Sequence, residues 1–211
     1  MTAAGHQHAT AHGHDRFQGV PGLVIGAVLL VGRAAVSRMV ADLAGVGPRD
    51  RVLDVGCGPG AAAREAARRG AAVTGVDPAP LMLALGRRLS RGRTGRRIAF
   101  VEGTAEALPV ADRSVTVAWA ISSAHHWADT EAGLRELHRV LEPGGRLIIA
   151  ERLARPGARG HAAHGFTTAQ AAQTAAAARA AGFAGAEHET HRAGRRMLAV
   201  VRAHCAAAEP R

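Results

Sequence analysis

Val52-Leu53-Asp54-Val55-Gly56-Cys57-Gly58-Pro59-Gly60 is the stretch whose reading decides the fold. Val52 to Val55 is short, β-branched and apolar apart from Asp54, the pattern of a buried strand. Three glycines and a proline follow within five residues, so neither a helix nor a strand can run through them. From Ala61 to Arg69 the chain is alanine-rich and favours a helix. A strand, a glycine turn and a helix in that order point free backbone N–H groups at a ligand. Glycine has no Cβ, so the ligand can come against the main chain itself.

Working outward, the strand Ala72–Val76 ends in Asp77, 21 residues after Gly56. That offset suits a carboxylate that accepts from both hydroxyls of a ribose. Asp-Pro would equally serve as a helix N-cap. Strand Ile98–Val101 leads into Glu102-Gly103-Thr104-Ala105-Glu106-Ala107-Leu108-Pro109. Leu141-Glu142-Pro143-Gly144-Gly145-Arg146-Leu147 turns out of a helix over 130–141 into a strand over 147–150. Helices are expected at 80–90 and 168–181, a strand at 114–121, and a solvated loop at 91–97. A hairpin around Gly194 is expected to pair 184–192 with 195–203. Strand and helix alternating in this way imply an α/β fold. The expected architecture is a doubly wound, mostly parallel seven-stranded Rossmann-like sheet with an antiparallel C-terminal hairpin strand.

These four motifs, in this order, resemble the class I S-adenosylmethionine-dependent methyltransferases, specifically the type 11 group that acts on small molecules. The resemblance spans residues 45–203 and implies S-adenosylmethionine as cofactor. It implies that Gly56, Cys57, Gly58 and Gly60 lie against the methionyl and ribose portions, and that Asp54 faces the methionyl ammonium. Asp77 would hold the ribose, with Pro78 and Met82 giving apolar contacts to the adenine. Gly103, Thr104, Ala105 and Glu106 would form the adenine side, and Ala120 would lie near the sulfur. Thr104 departs from the pattern: many members carry an acid there, and a neutral hydroxyl implies weaker cofactor binding. The resemblance also implies that an N-terminal helical segment, 20–44, covers the cleft. It is nearly silent about the acceptor atom (oxygen, nitrogen or carbon) and about the substrate.

Beyond strand 114–121 runs Ile121-Ser122-Ser123-Ala124-His125-His126-Trp127. In doubly wound sheets ligands bind beyond the carboxyl ends of the strands, so this loop sits at the edge for the methyl acceptor. His125 or His126 could take a proton from a hydroxyl nucleophile; the alternative is that His-His-Trp only shapes the loop. His161 and His164 follow the fifth strand. No metal site is expected, because no ligand spacing among these histidines supports one.

The chain has 211 residues, a net charge of +10 and 3% aromatics. Every basic residue is arginine, and lysine, asparagine and tyrosine are absent. All three use AT-rich codons, so the bias reflects codon composition before chemistry. The arginines are scattered and there are few rings to stack on bases, which argues against nucleic acid. An RNA methyltransferase with a groove of Arg33, Arg38 and Arg152 is the alternative enzyme; a non-catalytic partner module of the same fold is the alternative class. Residues 1–19, with His6, His8, His12 and His14, read as a disordered tail, and 204–211 as a second tail. The apolar run 20–32 is too short to span a bilayer. Cys57 and Cys205 have no partner at ligand spacing. The expected setting is a monomer or homodimer in the cytoplasm, without stable membrane insertion.

Overall fold

The computed structural model describes residues 33–158, 160 and 164–208. The His-rich segment, the apolar run 20–32 and His161 lie outside them. Seven strands form one sheet in the order β3-β2-β1-β4-β5-β7-β6. They are β1 (Arg51–Val55), β2 (Ala72–Asp77), β3 (Ile98–Glu102), β4 (Val115–Ile121), β5 (Leu141–Arg152), β6 (Gly185–Ala193) and β7 (Arg196–His204). The five strands β3, β2, β1, β4 and β5 are parallel, while β7 runs antiparallel to both β5 and β6. The chain order reverses at β1, between β2 and β4, which is where a doubly wound sheet opens to ligands.

Helices cover both faces. On one lie α1 (Arg33–Leu43) and α2 (Ala61–Arg68), whose Val36, Val40, Ala63 and Ala66 pack with Val52, Val117 and Trp119. The buried face of α2 is alanine apart from Glu65, so this helix can approach the sheet closely. Glu65, 6% exposed, is held by Arg68 at 2.9 Å and Arg69 at 3.1 Å. The opposite face carries α5 (Thr130–Val140) and α6 (Thr168–Ala180), which pack on Leu53, Val55, Ala120, Leu147 and Ile149. Asp129 caps α5 by accepting from the Ala132 N–H, and Thr167 with Gln170 closes a capping box on α6.

Between them, α3 (Pro80–Leu89) sets Leu83 against Cys57 and Phe100. The Phe100 ring lies in a slot made of glycine: a Cβ on Gly60, Gly75 or Gly86 would come within 2.7–3.3 Å of it. The ring therefore supports the glycine turn from beneath.

Three expectations are corrected. Residues 141–147 are not a turn ahead of the strand, because β5 already begins at Leu141. Its irregularity is internal: Leu141 pairs with Val115 and Arg146 with Val117, with a register shift between and Gly144 at φ +77°, which marks a bulge. The loop 91–97 contains a four-residue helical turn, α4 (Gly92–Gly95), with no buried residue. The chain from 204 is not simply a tail. His204 ends β7, Cys205 is 5% exposed and donates its N–H to the Gly145 carbonyl, and the Ala206 carbonyl accepts from Gly144. The C-terminal residues thus fasten the bulge. Among the described residues no helix is long and apolar enough to cross a membrane.

Candidate functional site

Gly56, Gly58 and Gly60 have φ of +66°, +52° and +76°. All three occupy the left-handed region where a side chain is strained. Gly56 is also sterically filled: a Cβ there would stand 2.4 Å from Ser123 Cβ. Ser123 in turn donates from Oγ to the Val55 carbonyl at 2.8 Å. The β4 loop is thereby clamped onto the end of β1, which places the histidine loop beside the glycine turn. Gly56→Ala is expected to lower folding stability by about 2–5 kcal/mol, the sum of left-handed strain and overpacking. Gly58→Ala, where an added Cβ meets nothing within 4 Å, is expected to lose only about 1–2 kcal/mol. Urea unfolding of the two variants checks the contrast; equal losses would refute the Ser123 clamp.

Asp54 is the one polar residue in the buried run of β1, next to its last residue, and is 2% exposed. In parallel register it neighbours Trp119, so both side chains point to the α1/α2 face. Neither Asp54 Oδ2 nor Trp119 Nε1 makes a hydrogen bond among the described residues. Burial pushes the Asp54 carboxyl up to about 7; the neighbouring indole, short of hydrogen-bond geometry, the Ala63 N–H and the Arg33 guanidinium pull it back. A buried carboxylate oxygen without a partner is costly, and a cation brought to it would relieve that cost.

Asp77, at the end of β2, accepts from the Gly58 N–H at 2.8 Å and the Ala79 N–H at 2.9 Å. It therefore ties the glycine turn to the start of α3. Burial raises its pKa, against the pull of the two N–H groups and of Arg33. Arg33, the first residue of α1, belongs with Arg38 and Arg152 to the basic groove that the alternative RNA methyltransferase reading calls for. It is instead half-buried in the field of Asp54, Glu151 and Asp77, opposed by Arg196, and burial lowers its pKa. Sequence reasoning missed it as a site residue because nothing local ties it to strand ends 20 and more residues away.

The residues expected on the adenine side are less uniform. Met82 is buried and Pro78 exposed. Gly103 lies tight under Pro109, where a Cβ would meet Cδ at 2.7 Å. Thr104 is exposed and bridges to Ala107, and Ala105 is buried in the core. Glu106 accepts from the N–H groups of Ala128 at 2.8 Å and Asp129 at 3.3 Å, so its carboxylate braces the start of α5. These contacts, with a hydrogen bond from Thr104, hold Glu106 below its usual range even though burial works the other way. Cys57 turns its side chain away from the turn's open side, into the cluster with Leu83 and Phe100. Ala120 reaches the carboxyl end of β4 but is fully buried.

At the acceptor edge, Ala124–His126 forms one turn of 3-10 helix. His125 Nδ1 lies 2.8 Å from Glu151 Oε2, and Glu151 Oε1 accepts from the Ala124 N–H at 2.8 Å. Glu151 is completely buried, and it is the second site residue that the sequence did not single out. His126 is exposed; partial burial, with the rings of His125 and His164 nearby, holds its pKa below the usual histidine range. Trp127 packs against Gly133 of α5, where a Cβ would meet its ring at 2.9 Å. Trp127 thus shapes the loop, while His126 is exposed and His125 is half-buried against Glu151. The carboxyl ends of β1, β2, β4 and β5 therefore gather a glycine cradle, three buried acids, one half-buried arginine and a group of imidazoles.

Comparison with known proteins agrees with this geometry. Residues 53–149 match a family model described as a methyltransferase domain. The demethylmenaquinone methyltransferase of Thermus thermophilus is 42% identical over 119 residues, covering 54% of this chain and 52% of that protein. The 27-O-demethylrifamycin SV methyltransferase of Amycolatopsis mediterranei is 36% identical over 131 residues, covering 60% and 48%. The chain thus spans about half the length of the curated relatives it matches. Among solved structures, a SAM-dependent methyltransferase from Aquifex aeolicus superposes with a TM-score of 0.71 at 16% identity, covering 86% of this chain and 97% of that one; at that identity the likeness speaks for the fold. The family match runs from β1 into β5, so the core of this chain, with its glycine turn and the acids at the strand ends, is similar to methyltransferase domains.

Proposed function

We propose that this chain is an S-adenosylmethionine-dependent methyltransferase acting on a small molecule. The observation that carries the reading is the buried Asp54 oxygen without a partner, beside a turn of three left-handed glycines. That pairing suits a ligand with a cationic amine and a portion that must touch the main chain. When bound, S-adenosylmethionine supplies an electrophilic methyl group on a sulfonium.

The chain's own residues then hold and orient. Asp54 accepts the amine, and Arg33, already close to it, is placed to meet a carboxylate. Asp77 accepts from ribose hydroxyls, a task suited to two oxygens of one carboxylate. Gly56, Gly58 and Gly60 admit the ligand to the backbone, and Met82 with the Gly103–Ala105 segment borders the base. An acceptor hydroxyl, amine or carbanion approaching over the β4 and β5 ends meets His125 and His126. Of the two, His125 has its ring fixed by Glu151, so its Nε2 is the better placed to take a proton from a hydroxyl acceptor. Alignment of nucleophile, methyl carbon and leaving sulfur supplies much of the rate enhancement.

The test is calorimetric titration of S-adenosylmethionine and its demethylated product into the full chain, followed by turnover on a panel of phenols, amines and enolisable quinols. Saturable binding with turnover is the expected result. Binding without turnover on any acceptor would favour a partner module of the same fold, and no binding by a folded chain would overturn the cofactor assignment.

A further inference from the structure

His125 and His126 are consecutive, but His164 comes from the connection beyond β5. The fold brings all three rings together. The ring centroids of His125 and His126 are 3.9 Å apart, those of His125 and His164 5.6 Å, and those of His126 and His164 6.0 Å. One ring nitrogen from each lies within 4.8 Å of the other two. Behind them stands a fully buried carboxylate: Glu151 receives His125 Nδ1 at 2.8 Å and is itself fixed by the Ala124 N–H. An imidazole whose Nδ1–H is held by a carboxylate has its Nε2 oriented and made more basic, the arrangement that supports metal-bound histidines. Arg152 Nε donates to the His164 carbonyl at 3.1 Å, which tethers the third ring's backbone to the end of β5.

We propose that His125, His126 and His164 form a binding site for a zinc-class divalent cation at the acceptor edge of the methyltransferase core, with Glu151 as the positioning carboxylate. Three neutral imidazoles, with no thiolate and no carboxylate directly on the ion, suit Zn²⁺, and they do not suit Mg²⁺ or Ca²⁺, which take oxygen ligands. Zn–N bonds of about 2.0–2.1 Å in tetrahedral geometry put ligand nitrogens about 3.3 Å apart. The rings must close by about an ångström or more from their present spacing, and the exposed rings of His126 and His164 have room to do so. Three protein ligands leave a fourth position open, facing the side from which a methyl acceptor arrives. An acceptor oxygen held there would be polarised by the cation, and with the ion bound His125 would serve as ligand in place of base.

Cation binding does not depend on the methyltransferase reading, so it is measured on the full chain without S-adenosylmethionine. The background replaces His6, His8, His12, His14 and His161 by glutamine, so that the N-terminal histidines and the one nearest His164 in sequence do not contribute. Titration with Zn²⁺ alone, and Co²⁺ as a spectroscopic probe, is expected to show one ion per chain, with the visible absorption of tetrahedral Co²⁺. His126→Ala and His164→Ala are each expected to weaken binding at least tenfold, and Glu151→Gln by about 10–100-fold. His126 and His164 are exposed, so their variants should fold, as circular dichroism will check. No stoichiometric ion in the folded background chain, binding unaffected by His126→Ala and His164→Ala, or equal competition by Mg²⁺ would each overturn the site.

Discussion

Asp77→Ala is expected to weaken S-adenosylmethionine binding about 100-fold or more and to destabilise the cofactor-free protein as well. In the free protein Asp77 accepts from the Gly58 and Ala79 N–H groups. Removing it leaves both donors without that acceptor, which costs about 1–3 kcal/mol in folding. In the complex the same carboxylate would also accept from ribose hydroxyls. Hydrogen bonds to a charged acceptor contribute about 1.5–3 kcal/mol each, so losing two weakens binding at least about 100-fold. Asp77→Asn separates the two roles. It retains one carbonyl acceptor and should keep most of the stability, yet lose about tenfold or more in affinity because the charge is gone. Calorimetric titration and urea unfolding on the three proteins provide the measurement. Stability loss with unchanged affinity would leave Asp77 as a helix cap and turn tie, and would refute the ribose role.

The second large effect is a pH dependence set by Asp54. Its folded-state pKa is pushed up to about 7 from an ordinary value of 3.8, with burial the leading cause. Between those values the folded protein holds a proton that the unfolded chain has released. Stability therefore falls as pH rises from about 4 to about 7 and levels off above that. A shift of about 3 units corresponds to a loss of about 4 kcal/mol, in order of magnitude. Other groups titrate in this window, including the histidines, so the diagnostic quantity is the difference between wild type and Asp54→Asn. That difference should change by several kcal/mol between pH 5 and pH 8 in chemical denaturation. Cofactor affinity should move the other way: a cationic amine needs the ionised carboxylate, so binding strengthens as pH rises through 7 in wild type and stays nearly flat in Asp54→Asn. A wild-type profile that parallels the asparagine variant in both measurements would show that Asp54 is already ionised in the folded protein.

Asp54 and Asp77 could be picked out from sequence because each is the last polar residue of a short apolar run that turns into glycine or proline. Such runs report strand ends directly, and in a parallel sheet the strand ends form the ligand edge. Glu151 gave no such sign. It ends a run that reads Leu-Ile-Ile-Ala-Glu-Arg, and an acid there is equally consistent with a strand running out into solvent. Its burial depends on the 3-10 turn closing over the end of β5, where the Ala124 N–H and the His125 ring meet its carboxylate, which is a tertiary event. Cys205 was misread for a related reason. The bulge in β5 at Gly144 offers the Gly145 carbonyl to its N–H, and no local pattern forecasts a bulge that far away.

What the sequence by itself determined is the doubly wound sheet, the glycine cradle at the end of β1 and the acid at the end of β2. All of these rest on periodicity and turn chemistry within some thirty residues. Only the tertiary structure decided which distant side chains meet. Ser123 reaches the Val55 carbonyl across 68 residues, Phe100 fills a slot between Gly60, Gly75 and Gly86, Arg33 turns in toward three carboxylates, and Glu151 fixes His125 within a triangle completed by His164. The physical reason is that local sequence sets backbone conformation through sterics and hydrogen bonding between near neighbours. The pairing of strand ends and loops is set instead by how whole layers pack, and packing is a property of the assembled core.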